Sequence, residues 1–204
     1  RDSLAICANT QNIGLSGYEM LDKLVGGEIF KQRINEIVSQ IELAKNNDDV
    51  QAPCIHMRFV GNPGTGKTTV ARIVGKILKE KGVLRIGNFY EYSGRDFCGR
   101  YIGETAPKTA SMCRDAYGSV LFIDEAYTLA NGGEKDFGKE AIDTLLKQME
   151  DHRDDLIVIA AGYTNEMKKF IGSNPGLESR FNTYIEFPDY NKEELIAIFN
   201  SICK

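Results

Sequence analysis

The chain has 204 residues, a hydrophobic fraction of 42% and a formal net charge of −4. That length buries a sizeable core in one or two domains, and the mild acidity argues against a dedicated duplex-binding module, which carries a basic surface. The five cysteines (Cys7, Cys54, Cys98, Cys113, Cys203) form no C-x-x-C pair and have only His56 and His152 as companions, which argues against zinc and fits a reducing, cytoplasmic location.

No apolar run approaches the roughly 18 residues needed to span a bilayer, so no membrane partner is expected. The N-terminus carries no charged-then-apolar leader and begins at Arg1, as a fragment of a longer protein would. Residues 1–20 lack sustained periodicity, and Gly14, Ser16 and Gly17 interrupt them, so a partly ordered lead-in is expected. From Glu28, the residues Ile29, Phe30, Ile34, Ile37, Val38 and Ile41 fit a helical face that ends near a solvated loop, Asn46-Asn47-Asp48-Asp49.

Ile55, Met57, Phe59 and Val60 read as a first strand, with His56 packed in it as a structural residue. The strand runs into Gly61-Asn62-Pro63-Gly64-Thr65-Gly66-Lys67-Thr68, a complete G-x-x-x-x-G-K-T phosphate-binding loop. A helix with Val70, Ala71, Ile73, Val74, Ile77 and Leu78 follows. Glycines let the backbone wrap closely around a phosphate, and N–H groups at the helix N-terminus point at its oxygens. Lys67 adds a point charge near the β/γ oxygens, and the Thr68 hydroxyl suits Mg²⁺. ATP or ADP is therefore expected against Asn62, Pro63, Gly64, Thr65, Gly66, Lys67, Thr68 and Thr69.

Phe89-Tyr90-Glu91-Tyr92 reads as a second strand, and Gly94 to Gly103 as a glycine-punctuated loop. Pro107 fits the first turn of a helix through Met112 and Ala116. Val120-Leu121-Phe122-Ile123 is a third, fully buried strand running into Asp124-Glu125. At the carboxyl end of such a strand Asp124 can hold Mg²⁺ while Glu125 polarises the attacking water. Ala141, Ile142, Leu145, Leu146 and Met149 space as a helix face. Leu156 to Ala160 forms a fourth strand, and Tyr184 to Phe187 a fifth, stopped by Pro188. Asn191 and Glu194 form a capping pair for a last helix through Leu195, Ile198, Phe199 and Ile202. Strands alternating with helices imply an α/β fold whose parallel sheet is covered on both faces.

Several longer strings are specific. They are Tyr101-Ile102-Gly103-Glu104-Thr105-Ala106-Pro107-Lys108-Thr109, Leu121 to Tyr127, Arg153-Asp154-Asp155-Leu156 with Ala161-Gly162-Tyr163, and Ser173-Asn174-Pro175-Gly176 through Ser179-Arg180 to Phe187-Pro188-Asp189-Tyr190. Together with the phosphate loop they resemble the AAA+ ATPases, in particular the stage V sporulation protein K family, which includes the red-type Rubisco activases. The resemblance runs from about Leu21 to the end of the chain.

The resemblance implies an AAA+ large domain over residues 21–189, with a parallel five-stranded sheet of order 5-1-4-3-2. Residues 190–204 would be the first helix of a truncated helical lid. It implies a Mg²⁺-dependent ATPase, converting ATP and water to ADP and phosphate, that forms a hexameric ring when full length and remodels or threads a protein client. Lys67 and Glu125 would serve catalysis, with Arg180 reaching the neighbouring subunit's site as an arginine finger; the alternative for Arg180 is an ion pair within its own chain. Thr68 and Asp124 would hold the metal. Val25 and Gly26 would lie against the adenine. Tyr101, Ile102 and Gly103 would form a pore loop whose ring grips extended polypeptide. For the polar sensor beyond the fourth strand, strand alignment points to Tyr163 and side-chain chemistry to Asn165. Arg153 would face a neighbouring subunit or pair with Asp154 or Asp155. Two rival functions remain at this stage: a nucleic-acid loader ATPase, against which the acidic balance and the Tyr101 loop both weigh, and a nucleotide-gated assembly module without turnover.

Overall fold

A computed structural model describes residues 14–47, 55–130 and 137–203. Five strands, β1 (Met57–Gly61), β2 (Phe89–Ser93), β3 (Ser119–Asp124), β4 (Leu156–Gly162) and β5 (Thr183–Phe187), form one sheet of order β2-β3-β4-β1-β5. Every pairing is parallel. This is the order predicted from the sequence, read from the other edge.

Helices cover both faces, and the strands alternate between them. Val120 and Phe122 of β3, with Ile157, Ile159 and Ala161 of β4, join the core beneath α1 (Gly17–Asp22), α2 (Glu28–Lys45) and α3 (Lys67–Glu80). Their neighbours Leu121, Ile123, Val158 and Ala160 join the opposite core, beneath α4 (Thr105–Asp115), α5 (Phe137–Asp151), α6 (Thr164–Gly172) and α7 (Pro175–Arg180). Two buried faces explain why these strands are apolar at consecutive positions rather than alternate ones. The last helix, α8 (Lys192–Ile202), follows β5 and buries none of its residues.

The expected lead-in falls largely outside the described residues. Residues 1–13 lie outside the described residues, as do Asp48 and Asp49 of the loop after α2. From Ser16 the chain is helical. The Ser16 hydroxyl accepts the Glu19 N–H at 3.2 Å, the Glu19 carboxylate accepts the Ser16 N–H at 2.7 Å, and Glu80 of α3 accepts from Gly17. A six-residue helix is too short to print a periodicity, so its signal was the capping box. The capping pair Asn191–Glu194 is present as predicted, with bonds of 2.8 and 2.9 Å.

His56 enters β1 as a buried structural residue, as its apolar neighbours imply. Its Nδ1 accepts the Val158 N–H at 3.0 Å, and the ring also hydrogen-bonds the Met149 backbone. Burial, with the like charges of Arg180 and Arg153 adding to it, pushes the imidazole from 6.5 down to about 4. A folded-state value below the unfolded one means that the unfolded chain binds the extra proton. The resulting stabilisation is therefore complete above about pH 6.5 and declines as pH falls towards 4. Between pH 7 and 4.5 the wild type should lose on the order of 2 kcal/mol of unfolding free energy that His56→Asn does not lose. Urea titrations at the two pH values check this, and parallel losses in the two proteins would refute it.

Candidate active site

The site begins where β1 leaves the sheet. A Cβ at Gly61 would lie 2.4 Å from the Phe187 carbonyl oxygen, so only glycine lets β1 stay paired with β5 up to the loop. The chain then turns through Asn62 to Gly66 into α3. Gly66 takes φ 92°, a left-handed conformation that suits glycine, and caps the helix. Lys67 Nζ donates to the carbonyls of Gly61 at 2.8 Å and Asn62 at 2.6 Å. Burial pushes its ammonium below the ordinary lysine value, and the Asp124 carboxylate counters that shift.

A cleft of about 560 Å³ lies over the loop, within the range of roughly 300–1,000 Å³ that small-molecule sites occupy. The loop and α3 supply Gly61, Pro63, Gly64, Gly66, Lys67, Thr68 and Thr69 to its walls. Asp124 and Glu125 come from the end of β3, and Gly162 and Tyr163 from the end of β4. The parallel sheet thus delivers all of these groups at the carboxyl ends of its strands.

Glu125 has φ 48° and ψ 45°, and among the described residues it is the only non-glycine with positive φ. Such a conformation costs about 1–3 kcal/mol and persists where the surroundings enforce it. Here the Glu125 N–H donates to Asp124 Oδ1 at 2.9 Å, while its carbonyl accepts from the Thr128 N–H at 2.9 Å and hydroxyl at 2.8 Å. The two adjacent carboxylates are therefore held on a fixed turn.

Thr68 and Asp124 present hard oxygen donors to one cleft. Mg²⁺ in phosphate sites takes one or two protein ligands and completes its shell with phosphate oxygens and water. That donor set fits Mg²⁺, and among the described residues no group of three or more His, Cys, Asp or Glu forms an all-protein cage instead.

Of the other expected residues, some line the cleft and others lie outside it. Tyr163 reaches the cleft, its ring 6.0 Å from that of Tyr127, whereas Asn165 is exposed in the first turn of α6 and outside the lining. Asn62 and Thr65 stand outside the lining too. Asn62 Nδ2 bonds both carboxylate oxygens of Asp189 at 3.0 Å, and buried Thr65 donates to the Asn62 carbonyl at 2.8 Å. Val25 and Gly26 do not line the cleft; Gly26 packs against the Glu194 carboxylate. Tyr101 and Ile102 are 70% and 82% exposed, so neither is a packing residue. Beside Gly103, Glu104 fixes the base of their loop by accepting the Arg100 and Tyr101 N–H groups, each at 3.1 Å.

Arg180 ends α7 outside its own chain's cleft, with Nη2 3.4 Å from Glu150 and Nη1 3.4 Å from the Gly176 carbonyl. The pairing foreseen for Arg153 is corrected. It binds Glu150 at 2.6 Å, one helical turn back, while Asp155 is engaged by Arg85. One site residue was not foreseen. Glu91 of β2 lines the cleft and pairs with Arg72 at 3.1 Å. A lone carboxylate inside the aromatic run Phe89-Tyr90-Glu91-Tyr92 was the available signal.

The chain is similar to several known proteins. Stage V sporulation protein K of Bacillus subtilis (strain 168) is 50% identical over 182 residues, covering 87% of this chain and 56% of the relative. Protein CbbX of Cereibacter sphaeroides is 46% identical, covering 88% and 60%. The chloroplastic ribulose bisphosphate carboxylase/oxygenase activase of Cyanidioschyzon merolae is also 46% identical, covering 86% and 59%. The chain thus spans less than two thirds of the length of each. The crystal structure of the FIGL-1 AAA domain in complex with ADP superposes with a TM-score of 0.62 at 21% identity, covering 87% of this chain and 58% of that one, a likeness of fold. Residues 57–189, from the start of β1 to just past β5, match the ATPase family associated with various cellular activities (AAA), and the chain belongs to that family.

Proposed function

We propose that this chain is the Mg²⁺-dependent ATP-hydrolysing core of a ring-forming, cytoplasmic AAA+ protein that remodels a protein client. The observation that carries the reading is the convergence of Lys67, Thr68, Asp124 and Glu125 on one cleft at the carboxyl ends of the strands. Lys67 and the loop N–H groups hold the triphosphate of ATP, and Thr68 and Asp124 hold the metal. Bound there, Mg²⁺ would neutralise charge on the β/γ oxygens. Glu125 orients the attacking water and takes its proton, leaving ADP and phosphate as products. Tyr163 flanks the cleft as the polar sensor, and Asn165 serves no role there.

Arg180 acts in trans. A guanidinium from the next subunit stabilises the transferring phosphoryl group and supplies on the order of 10³-fold or more in rate. Its place outside the cleft of its own chain and its long contact with Glu150 support that role. A hexamer would close such head-to-tail contacts into a ring. The exposed apolar residues of α8, Leu195, Ile196, Phe199 and Ile202, are those that a helical lid over residues 190–204 and beyond would cover. The protein client is supported by the exposed Tyr101–Ile102 tip and by one relative's name, an activase of an enzyme.

Two substitutions separate binding from turnover. Lys67→Ala should abolish ATP binding in calorimetry, because the phosphates lose their nearest cation. Glu125→Gln leaves the phosphate contacts and the metal ligands in place and removes only the base, so ATP should still bind while phosphate release falls by about 10²-fold or more. Retained micromolar binding by Lys67→Ala, or equal loss of binding in both variants, would remove the assignment.

The Tyr101 loop is tested in the full-length protein with unfolded casein as probe. Tyr101→Ala should lose casein-stimulated hydrolysis, since each subunit gives up an aromatic contact worth about 1 kcal/mol. Its melting temperature should stay within about 1 °C, as expected for a solvated side chain. Undiminished stimulation would dismiss the loop as a gripping element.

A further inference from the structure

We propose that Tyr190 is a positioning residue of the phosphate loop, its hydroxyl fixing the Thr65–Gly66 peptide unit so that the Gly66 N–H faces the phosphate site. The proposal rests on the ATPase reading above and adds to it a residue from the segment between β5 and α8.

The geometry is direct. Tyr190 Oη donates to the Thr65 carbonyl at 3.1 Å. All described peptide bonds are trans, so the carbonyl and the following N–H of one peptide unit point in opposite directions. Holding the Thr65 oxygen on the Tyr190 side therefore turns the Gly66 N–H the other way. Gly66 lines the cleft and Thr65 does not, which agrees with that orientation.

The loop needs such a hold because of its own composition. Glycine populates positive and negative φ about equally, so Gly66 cannot by itself choose between the two orientations of the peptide before it. A hydrogen bond from outside the loop makes the choice. The hydroxyl also sits close beside Gly66, since a Cβ there would lie 3.0 Å from it. Tyr190 remains a donor at physiological pH, because burial, and then the charge of Glu194, push its phenol above the ordinary value.

A second contact fixes the other end of the loop. Asp189 takes the Asn62 side chain through both carboxylate oxygens at 3.0 Å, so consecutive residues grip the loop on either side of Pro63-Gly64. Asn191 follows at once as the N-cap of α8. The orientation of a phosphate donor and the start of the last helix thus share one anchor.

Tyr190→Phe deletes the hydroxyl and keeps the ring. The ADP Kd measured by calorimetry should rise about three- to tenfold, the size of one net hydrogen bond. In the free protein, the NMR order parameter of the Gly66 amide should fall, with those of the β1 and β4 amides unchanged. In turnover, KM for ATP should rise while kcat stays within about twofold, the signature of a lost binding contact. An ADP Kd within about twofold of wild type together with an unchanged Gly66 order parameter would overturn the proposal. So would order parameters lowered evenly across the sheet, which mark a general packing role. Failure of the wild type itself to bind ADP would remove the ATPase reading alone, and the Gly66 order parameter in the free protein would still decide for or against Tyr190.

Discussion

Strand β1 carries the tightest constraint in the molecule. It is hydrogen-bonded to β4 on one side and β5 on the other, and its side chains enter the cores on both faces of the sheet. A strand enclosed in this way has one exit, along its own axis at the carboxyl end. Gly61 sits at that exit, pressed against the Phe187 carbonyl. The phosphate loop is therefore anchored to the most rigid part of the fold, and the Asp124–Glu125 turn is set by the same sheet two strands away. Rigid strands place these groups to within the tolerance that phosphoryl chemistry requires.

Much of this was legible in the sequence because burial on two faces leaves a plain mark. Val120 to Ile123 and Leu156 to Ala160 are apolar without interruption, and the glycine-lysine loop sits between a strand and a helix. Strand order, by contrast, rested on resemblance, since periodicity carries no information on which strands are neighbours. Short elements escaped notice for a related reason. The helices Gly17–Asp22 and Pro175–Arg180 have six residues each, too few to repeat a face. Side-chain partners were the least legible. The partners considered for Arg153 were a neighbouring subunit or its sequence neighbours Asp154 and Asp155, yet the turn after α5 brings it to Glu150, three positions back. Glu91 offered only a lone carboxylate as a signal, because the pairing of β2 with β3 is what brings it to the cleft.

Charge is distributed unevenly between the two ends of this arrangement. The cleft gathers Asp124, Glu125 and Glu91 around Lys67, while Glu150 stands between Arg153 and Arg180 on the other flank. Half-exposed pairs of this kind contribute about 0–1 kcal/mol each, so they stabilise the fold little and exchange partners readily. In the proposed ring a highly charged phosphate group is a stronger partner for Arg180 than a shared, solvated carboxylate. The long Glu150 contact is then one that the arginine would exchange for the phosphate in the proposed ring.

The last helix raises a different matter. None of its 11 residues is fully buried, and the Asn191–Glu194 capping box starts it. Isolated helices shorter than about 12–15 residues are marginal in water, so packing against a partner would supply most of the stability of such a segment. Whatever settles over Leu195, Ile196, Phe199 and Ile202 removes apolar surface only if the turns that align those side chains are formed. Covering that face and completing the helix thus become one thermodynamic step, and the heat-capacity change of the covering event would carry the helix's own ordering within it.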